Sequence, residues 1–423
     1  MKTTRTIPRA LVALVAVGLV VAACGDDDEA DTTVPPVDDT ASPTVPGTAA
    51  LTAPPTAAAT STMPDTGSTT PGTGSVPSAT VDLVAAGCPD PLVIQTDWFP
   101  ESEHGGLYEM VGEGYEVDTD AKIVSGPLVA GGEETGIDLE IRTGGPAIGY
   151  QPVSVRQYAD DDIHLGYANT SGQVLRWSKT PTISVVAPLE IDPQIIYWDP
   201  ETYPEVETLA DLGESGATIN ILEGATFAEV FVGQGIWQED QIDGSYDGSP
   251  GRFIAAGGAL AQQGFASAEP YTYENVFEDW GKPVRYQLLH DAGFEVYSQT
   301  LSVKPDELEE LRPCLEAFVP IVQQAQVDFV NAPDRANAII IDAVDRYGDS
   351  WQYDEALAEY SVATQKELGL VGNGPDDTLG NMDEDRIQRV IDQIRDDAGL
   401  NVPDDLVAAD LFTNEFIDPD IGL

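Results

Sequence analysis

"PLVIQTDWFPESEHGGLYEM", residues 91–110, is the stretch on which the reading of the fold turns. The run from Pro91 to Trp98 is apolar, rich in strand formers and short, so it reads as a buried strand. Directly beyond it, Trp98, Phe99, Pro100, His104, Gly105 and Gly106 crowd into a few positions, and "HGGLYEMVGEGYEV" then starts as a helix. A buried strand passing through a tight turn into a helix opens an α/β unit. On sheets built from such units, ligands bind beyond the carboxyl ends of the strands. Trp98 and His104 therefore either cap a core or rim a pocket.

The same alternation continues outward. "IDLEIRTGG" (137–145) reads as a strand ending in glycines, and "SVRQYADDDIHLGYANT" as a short helix and a strand. "TISVVAPLEIDPQIIYWDP" (182–200) gives two extended stretches. "TLADLGESGATINILEG" and "ATFAEVFVGQGIW" give helix, strand and helix. "GRFIAAGGALAQQGFASAEPYTYEN" reads as strand, short helix and strand, which would point Tyr271 and Tyr273 to opposite faces. After Lys304 the 3.6-residue period dominates, with Leu308, Leu311, Leu315, Phe318 and Val319 on one stripe. Strands alternating with helices predict an α/β fold with parallel sheets. Four strand ends could then share a cleft: 97–106, 142–154, 222–230 and 267–275. Gly144 and Gly145 either supply a turn or line that cleft. Thr226 is either a helix-start hydroxyl or a contact for a polar ligand group at free backbone N–H groups.

The beginning of the chain reads differently. Lys2, Arg5 and Arg9 precede "ALVALVAVGLVVAA" (10–23), shorter than the roughly 20 apolar residues of a membrane span, so residues 1–23 are expected to be a signal peptide. The run ends in "VAAC", which resembles the lipobox of bacterial lipoproteins and implies a lipid on Cys24. Residues 24–87, rich in Thr, Pro, Ala, Gly and Asp, bury too little to fold and are expected to form a disordered tether. As a flexible coil it would span roughly 40 Å.

The formal net charge is −54, from 73 Asp and Glu against 19 Lys and Arg. That balance excludes nucleic acid as the partner, since phosphates need cationic side chains. The acids are spread along the chain and read as a solvated surface. Besides Cys24, the chain has Cys88 and Cys314, an even pair for which a disulfide is expected outside the cytoplasm. His104, His164 and His290 are scattered, without zinc-ligand spacing, so no metal is expected. GxSxG, HExxH and P-loop motifs are absent, and neither catalytic residues nor a cofactor are expected.

Four islands carry a family resemblance. "DWFPESEHGGLY", "LEGAT" with the short helix after it, "ALAQQGFASAEPYTYE" and "DLFTNEFI" (410–417) resemble the solute-binding proteins of bacterial ABC importers, within them the Thi5/NMT1-like branch. Trp98, Pro100, His104 and Gly106 carry its most specific pattern. The resemblance implies a two-lobe periplasmic-binding-protein fold (type II) closing by a hinge. Its lobes would be 88–182 plus 286–423, and 183–285. It also implies a monomer held by its lipid near permease and ATPase subunits. Its ligand would be a flat heterocycle, a thiamine pyrimidine precursor or riboflavin, held by a carboxylate and stacking aromatics. The ligand residues carried over are Trp98, His104, Tyr108, Glu269 and Tyr271, with Tyr273 beside them. Gly145 and Thr226 join them from the strand ends. Two alternatives stay open. A small anion such as a sulfonate or nitrate would need a strand-end cation, for which Arg142 and Arg156 are the candidates near the glycines. A surface lipoprotein without a transporter would use the same stalk. The branch also holds an enzyme that consumes its own histidine, but its cysteine-rich motif is missing here.

Overall fold

A computed structural model describes residues 81–423. The expected signal peptide, Cys24 and most of the tether lie outside the described residues. The expected tether does not reach 87: from Val81 the chain belongs to the folded unit. Leu83 is fully buried, and its backbone N–H donates to the Thr135 carbonyl at 3.0 Å. A buried leucine, local turn hydrogen bonds and the disulfide at Cys88 hold a segment whose composition alone reads as linker.

Strands β1 (Leu92–Gln95), β2 (Glu116–Asp118), β3 (Ile123–Ala130), β4 (Glu133–Arg142), β5 (Leu165–Ala168) and β6 (Ile183–Val186) enter a larger sheet. The chain then builds a smaller sheet from β7 (Gln194–Trp198), β8 (Thr218–Asn220), β9 (Ile242–Asp243), β10 (Leu260–Phe265) and β11 (Arg285–Leu288). β12 (Thr300–Val303) returns to the first sheet. The orders are β2-β3-β4-β1-β5-β12-β6 and β11-β7-β10-β8-β9. The result is a two-lobed α/β architecture, each sheet with its own buried cluster.

The sheets are mixed, not parallel as the alternation predicts. Among the named strands, parallel pairing is confined to β4-β1-β5 and β10-β8-β9. β2, β3 and β4 form an antiparallel meander whose β3–β4 turn uses Gly131 and Gly132 at positive φ. β12 runs antiparallel to β5 and β6, and β7 antiparallel to β10 and β11. Chain segments that cross between the sheets re-enter them in the opposite direction, which a local helix–strand alternation does not reveal.

The helices are α1 (Gly105–Glu109), α2 (Val153–Ala159), α3 (Thr170–Arg176), α4 (Leu209–Ser215), α5 (Thr226–Gly233), α6 (Gly251–Ala255), α7 (Glu269–Asn275), α8 (Leu308–Asn331), α9 (Asp334–Tyr347), α10 (Glu355–Glu367) and α11 (Glu384–Asp392). α8 buries Leu311, Leu315, Phe318, Val319 and Phe329 in the larger sheet's cluster. α11 packs Ile387, Val390 and Ile391 into the cluster of the smaller sheet. After α11 the chain passes alongside β6 in a parallel bridge, where the Ser184 N–H donates to Leu411 and the Thr413 N–H to Ser184. A disulfide joins Cys88, just before β1, to Cys314 on α8.

"GRFIA" and "EPYTYEN" are helices, α6 and α7, where the sequence reads strands. Pro270 stands in the first turn of α7, a position where its missing N–H costs nothing. The strand lies between them, at Leu260–Phe265. This moves Glu269 from a strand end onto the first turn of a helix.

Candidate ligand-binding cleft

The loops after β1 and β4 are zipped together. The Gly144 N–H donates to the Trp98 carbonyl at 3.0 Å and the Gly145 N–H to Asp97 at 2.9 Å. A Cβ on Gly144 would run into the Thr96 carbonyl oxygen. Gly145 has φ +55°, and the Trp98 ring lies over it, so its bare backbone seats the indole. Trp98 meets Trp351 edge-on at 6.5 Å and Tyr150 at 6.0 Å, while Phe99 stacks on Trp351 at 5.5 Å. Across the cleft, the Tyr150 hydroxyl donates to the Asp247 carbonyl at 3.0 Å.

The glycine pair after His104 serves packing. A Cβ on Gly105 would strike the Phe329 ring, and one on Gly106 the Gln326 side chain, so these glycines let α1 lie close against α8. Tyr108 is a core residue, 1% exposed. His104 is fully buried; its Nε2 lies 3.0 Å from Asp97 Oδ1 and 3.4 Å from Gln299 Nε2. His104 braces the Asp97 loop from behind and forms no part of the cavity wall described next.

That cavity, of ≈ 200 Å³, lies between the smaller sheet and the segment joining α9 to α10. α7 supplies Glu269, Thr272 and Tyr273, and Val276 at its C-cap continues the same i, i+3, i+4, i+7 face. Tyr197 on β7 and Gln262 on β10 form its floor, and Tyr246 and Trp351 its sides. A hydrogen-bond chain fixes the floor: Gln262 Nε2 donates to the Tyr197 hydroxyl at 2.6 Å, and that hydroxyl to Tyr273 at 2.7 Å. Tyr271 points elsewhere and packs on Tyr360 at 5.2 Å.

Acid surrounds the site. Burial pushes the Glu269 carboxyl up to about 7, against the pull of the Phe265 N–H, which donates to it at 2.6 Å. Glu101 is held well above the carboxylate range by burial and then by Glu103, Asp97 and Glu269, and its Oε1 has no hydrogen-bond partner among the described residues. Burial also raises Glu103, which accepts from the Ser267 hydroxyl just before α7.

A second, open cavity of ≈ 620 Å³ lies on the other side of Tyr246, with Tyr150, Asn169, Gly224 and Thr226 in its walls. Its cation is Arg176, at the end of α3. This half-buried guanidinium donates to the Gly172 carbonyl at 3.2 Å and has no carboxylate within 4 Å among the described residues. Arg142 is not available to an anion: it is paired with Glu140 at 2.6 Å and Asp160 at 2.9 Å. Arg156 lines neither cavity.

Of the residues expected to bind ligand, the structure thus places Glu269 in the aromatic cavity. Trp98 and Gly145 lie beside it through Trp351, and Thr226 lies in the open cavity. It separates His104, Tyr108 and Tyr271 from both. Sequence reasoning missed Tyr197, Tyr246, Gln262, Trp351 and Arg176. The first proline of "EPYTYENV" was the available signal for the α7 face; nothing local marks the others.

No protein-family model matches the chain, and no curated protein matches it in sequence. Among solved structures, it aligns with a protein of Bordetella bronchiseptica RB50 at 14% identity, over 78% of this chain and 96% of that one, with a TM-score of 0.49. It aligns with the zinc-bound ligand-binding component of an ABC-type import system from Staphylococcus aureus at 12% identity, over 77% and 97%, with a TM-score of 0.48. It aligns with the periplasmic nitrate-binding protein NrtA of Synechocystis PCC 6803 at 11% identity, over 78% and 88%, with a TM-score of 0.48. At these TM-scores no residue or ligand is carried across to this chain. No helix among the described residues is long and apolar enough to cross a membrane.

Proposed function

We propose that this chain is the extracytoplasmic solute-binding component of an ABC importer, with the two sheets as lobes that close on a small flat heterocycle. The observation that supports this best is Glu269, a partly buried carboxylate set among Tyr197, Tyr246, Tyr273 and Trp351, with no Lys or Arg in the cavity wall. Aromatic faces offer stacking area at little entropic cost, and a carboxylate accepts the paired N–H groups of an aminopyrimidine-like edge. The volume of ≈ 200 Å³ lies below the roughly 300–1,000 Å³ of drug-sized clefts and favours a single ring system over a flavin. The family resemblance of the sequence adds the permease and ATPase partners and the lipid-bearing tether.

A second reading is favoured by one observation, the unpaired Arg176 in the open cavity beside the start of α5. It would hold a small anion such as a sulfonate or nitrate. A thermal-shift screen of the full-length chain with hydroxymethylpyrimidine, formylaminopyrimidine, riboflavin, taurine and nitrate separates the readings. A bound ligand at 100 times its dissociation constant adds about 2.7 kcal/mol. A pyrimidine shift that Glu269→Ala or Trp351→Ala removes upholds the heterocycle reading. A taurine or nitrate shift that Arg176→Ala removes transfers the site to the open cavity, and the absence of any shift defeats both.

A further inference from the structure

We infer that the aromatic cavity selects a compact organic cation, a protonated or quaternised nitrogen ring or small amine, over its neutral counterpart. The inference names the ligand class of the proposed solute site and rests on that reading.

Three observations converge on it. The walls take aromatic side chains from separate segments: Tyr197 on β7, Tyr246 after β9, Tyr273 on α7 and Trp351 before α10. Aromatic rings gathered around one small space favour a cation, which the ring quadrupole attracts wherever it meets a ring face. The charged side chains in the walls are Glu269 and Asp354, both acidic. An anion there would meet like charge, and a neutral ring would leave Glu269 either uncompensated or obliged to take up a proton.

The third observation is an acceptor without a donor. Gln262 is 1% exposed and lines the cavity, and its Oε1 has no partner among the described residues. Its Nε2 donates to the Ser249 carbonyl at 3.2 Å, which can only accept, so the amide orientation is fixed and the oxygen is the free group. A buried acceptor left open is costly unless a ligand N–H fills it. A carboxylate and an amide oxygen within an aromatic enclosure together complement a cation that also brings a hydrogen-bond donor.

The groups facing Glu269 reinforce this. Glu101, Glu103, Tyr197, Tyr246, Tyr273 and Tyr360 each couple to its charge, and every one is acidic or neutral. Burial lifts Glu269 to about 7, so a permanent cation is bound more tightly at pH 8, where the carboxylate is ionised, than at pH 6.

The test uses two matched pairs on the full-length chain, read by tryptophan fluorescence and thermal shift. 1-Methylnicotinamide, a pyridinium cation, is compared with nicotinamide, and choline with 3,3-dimethyl-1-butanol. At pH 8 the cation of at least one pair is expected to bind about ten-fold tighter than its neutral mate. That ratio should fall toward one at pH 6 and in Glu269→Gln, and survive in Glu269→Asp, which separates loss of charge from loss of fold. Equal binding within both pairs, or a preference for the neutral member, overturns the charge selectivity while leaving a cleft that binds solutes. Binding by none of the four probes overturns the inference outright, and the pyrimidine and anion screen then decides the solute-binding reading by itself.

Discussion

The two cavities that share Tyr246 have opposite chemistry. On one side lies a small space of ≈ 200 Å³ walled by aromatics and Glu269; on the other lies an open one of ≈ 620 Å³ whose cation is Arg176. A chain with a formal charge of −54 would be expected to present the same potential everywhere. It does not, because pairing decides where charge is felt. Arg142, with two carboxylates beside it, is neutralised, whereas Arg176 has none within 4 Å among the described residues. Net charge speaks for solubility and for which macromolecules are repelled, and ligand sign is set by a few unpaired groups.

The largest expected effect removes what both cavities stand on. Gly144→Ala would push a Cβ into the Thr96 carbonyl and the Asp97 backbone, neither of which is the end of a flexible side chain. The loops after β1 and β4 would have to part. A loss of about 3 kcal/mol is expected in chemical denaturation, with both cavities impaired together. If only one cavity responded, the shared foundation argued here would be wrong.

A smaller effect tests the aromatic side by itself. Glu269→Gln keeps an acceptor for the Phe265 N–H and removes the charge. The folded carboxyl titrates near 7, above its unfolded value near 4.5, so the folded state binds the extra proton between those values. Its favourable contribution is complete below about pH 4.5 and is lost as pH rises through 7. The wild-type chain is therefore expected to fall behind Glu269→Gln by up to about 3 kcal/mol at pH 8, with no difference near pH 4. Melts across that pH range check it; a flat difference would mean that the carboxyl is not held up by burial.

These two residues also mark how far the sequence could be read. The strand ends, the long helical tail and a turn built on Gly144 and Gly145 were legible, because period and glycine placement are local signals. Glu269 was singled out, but from a strand that is in fact α7, and the correct i, i+4 partner Tyr273 stood second to Tyr271. The rest of the wall was hidden. Tyr197, Tyr246, Gln262 and Trp351 lie far apart along the chain and are joined only when β7, β10 and the α9–α10 connection meet. His104 shows the reverse case: the most specific residue of a motif is buried as a brace behind Asp97.

Between the cavities stands Tyr150, whose hydroxyl bonds across to the Asp247 carbonyl from a half-exposed position. Tyr150→Phe deletes one such bond, and about 0.5–1 kcal/mol of stability should go with it. If that bond holds the two sides of the cleft together, ligand dissociation should quicken in stopped-flow while the unfolding slope in denaturant stays the same. An unchanged dissociation rate would make the contact incidental to closure.

The smallest effect on stability should come from Arg176→Ala, and it discriminates best. Among the described residues the guanidinium makes one carbonyl hydrogen bond and no ion pair, and its burial already lowers its pKa from the ordinary arginine value. Deleting it removes a charge that the fold does not use, so stability is expected to change by no more than about 0.5 kcal/mol. Binding should separate cleanly. Ligands of the aromatic cavity keep their affinity, because Arg176 is not in that wall. Any response to taurine or nitrate disappears, because the open cavity then holds no cation. Titration of both ligand types against this variant and Glu269→Gln gives a two-by-two comparison. If Arg176→Ala weakened the cationic and anionic ligands equally, the cleft would be one continuous site, and its division at Tyr246 would have to be abandoned.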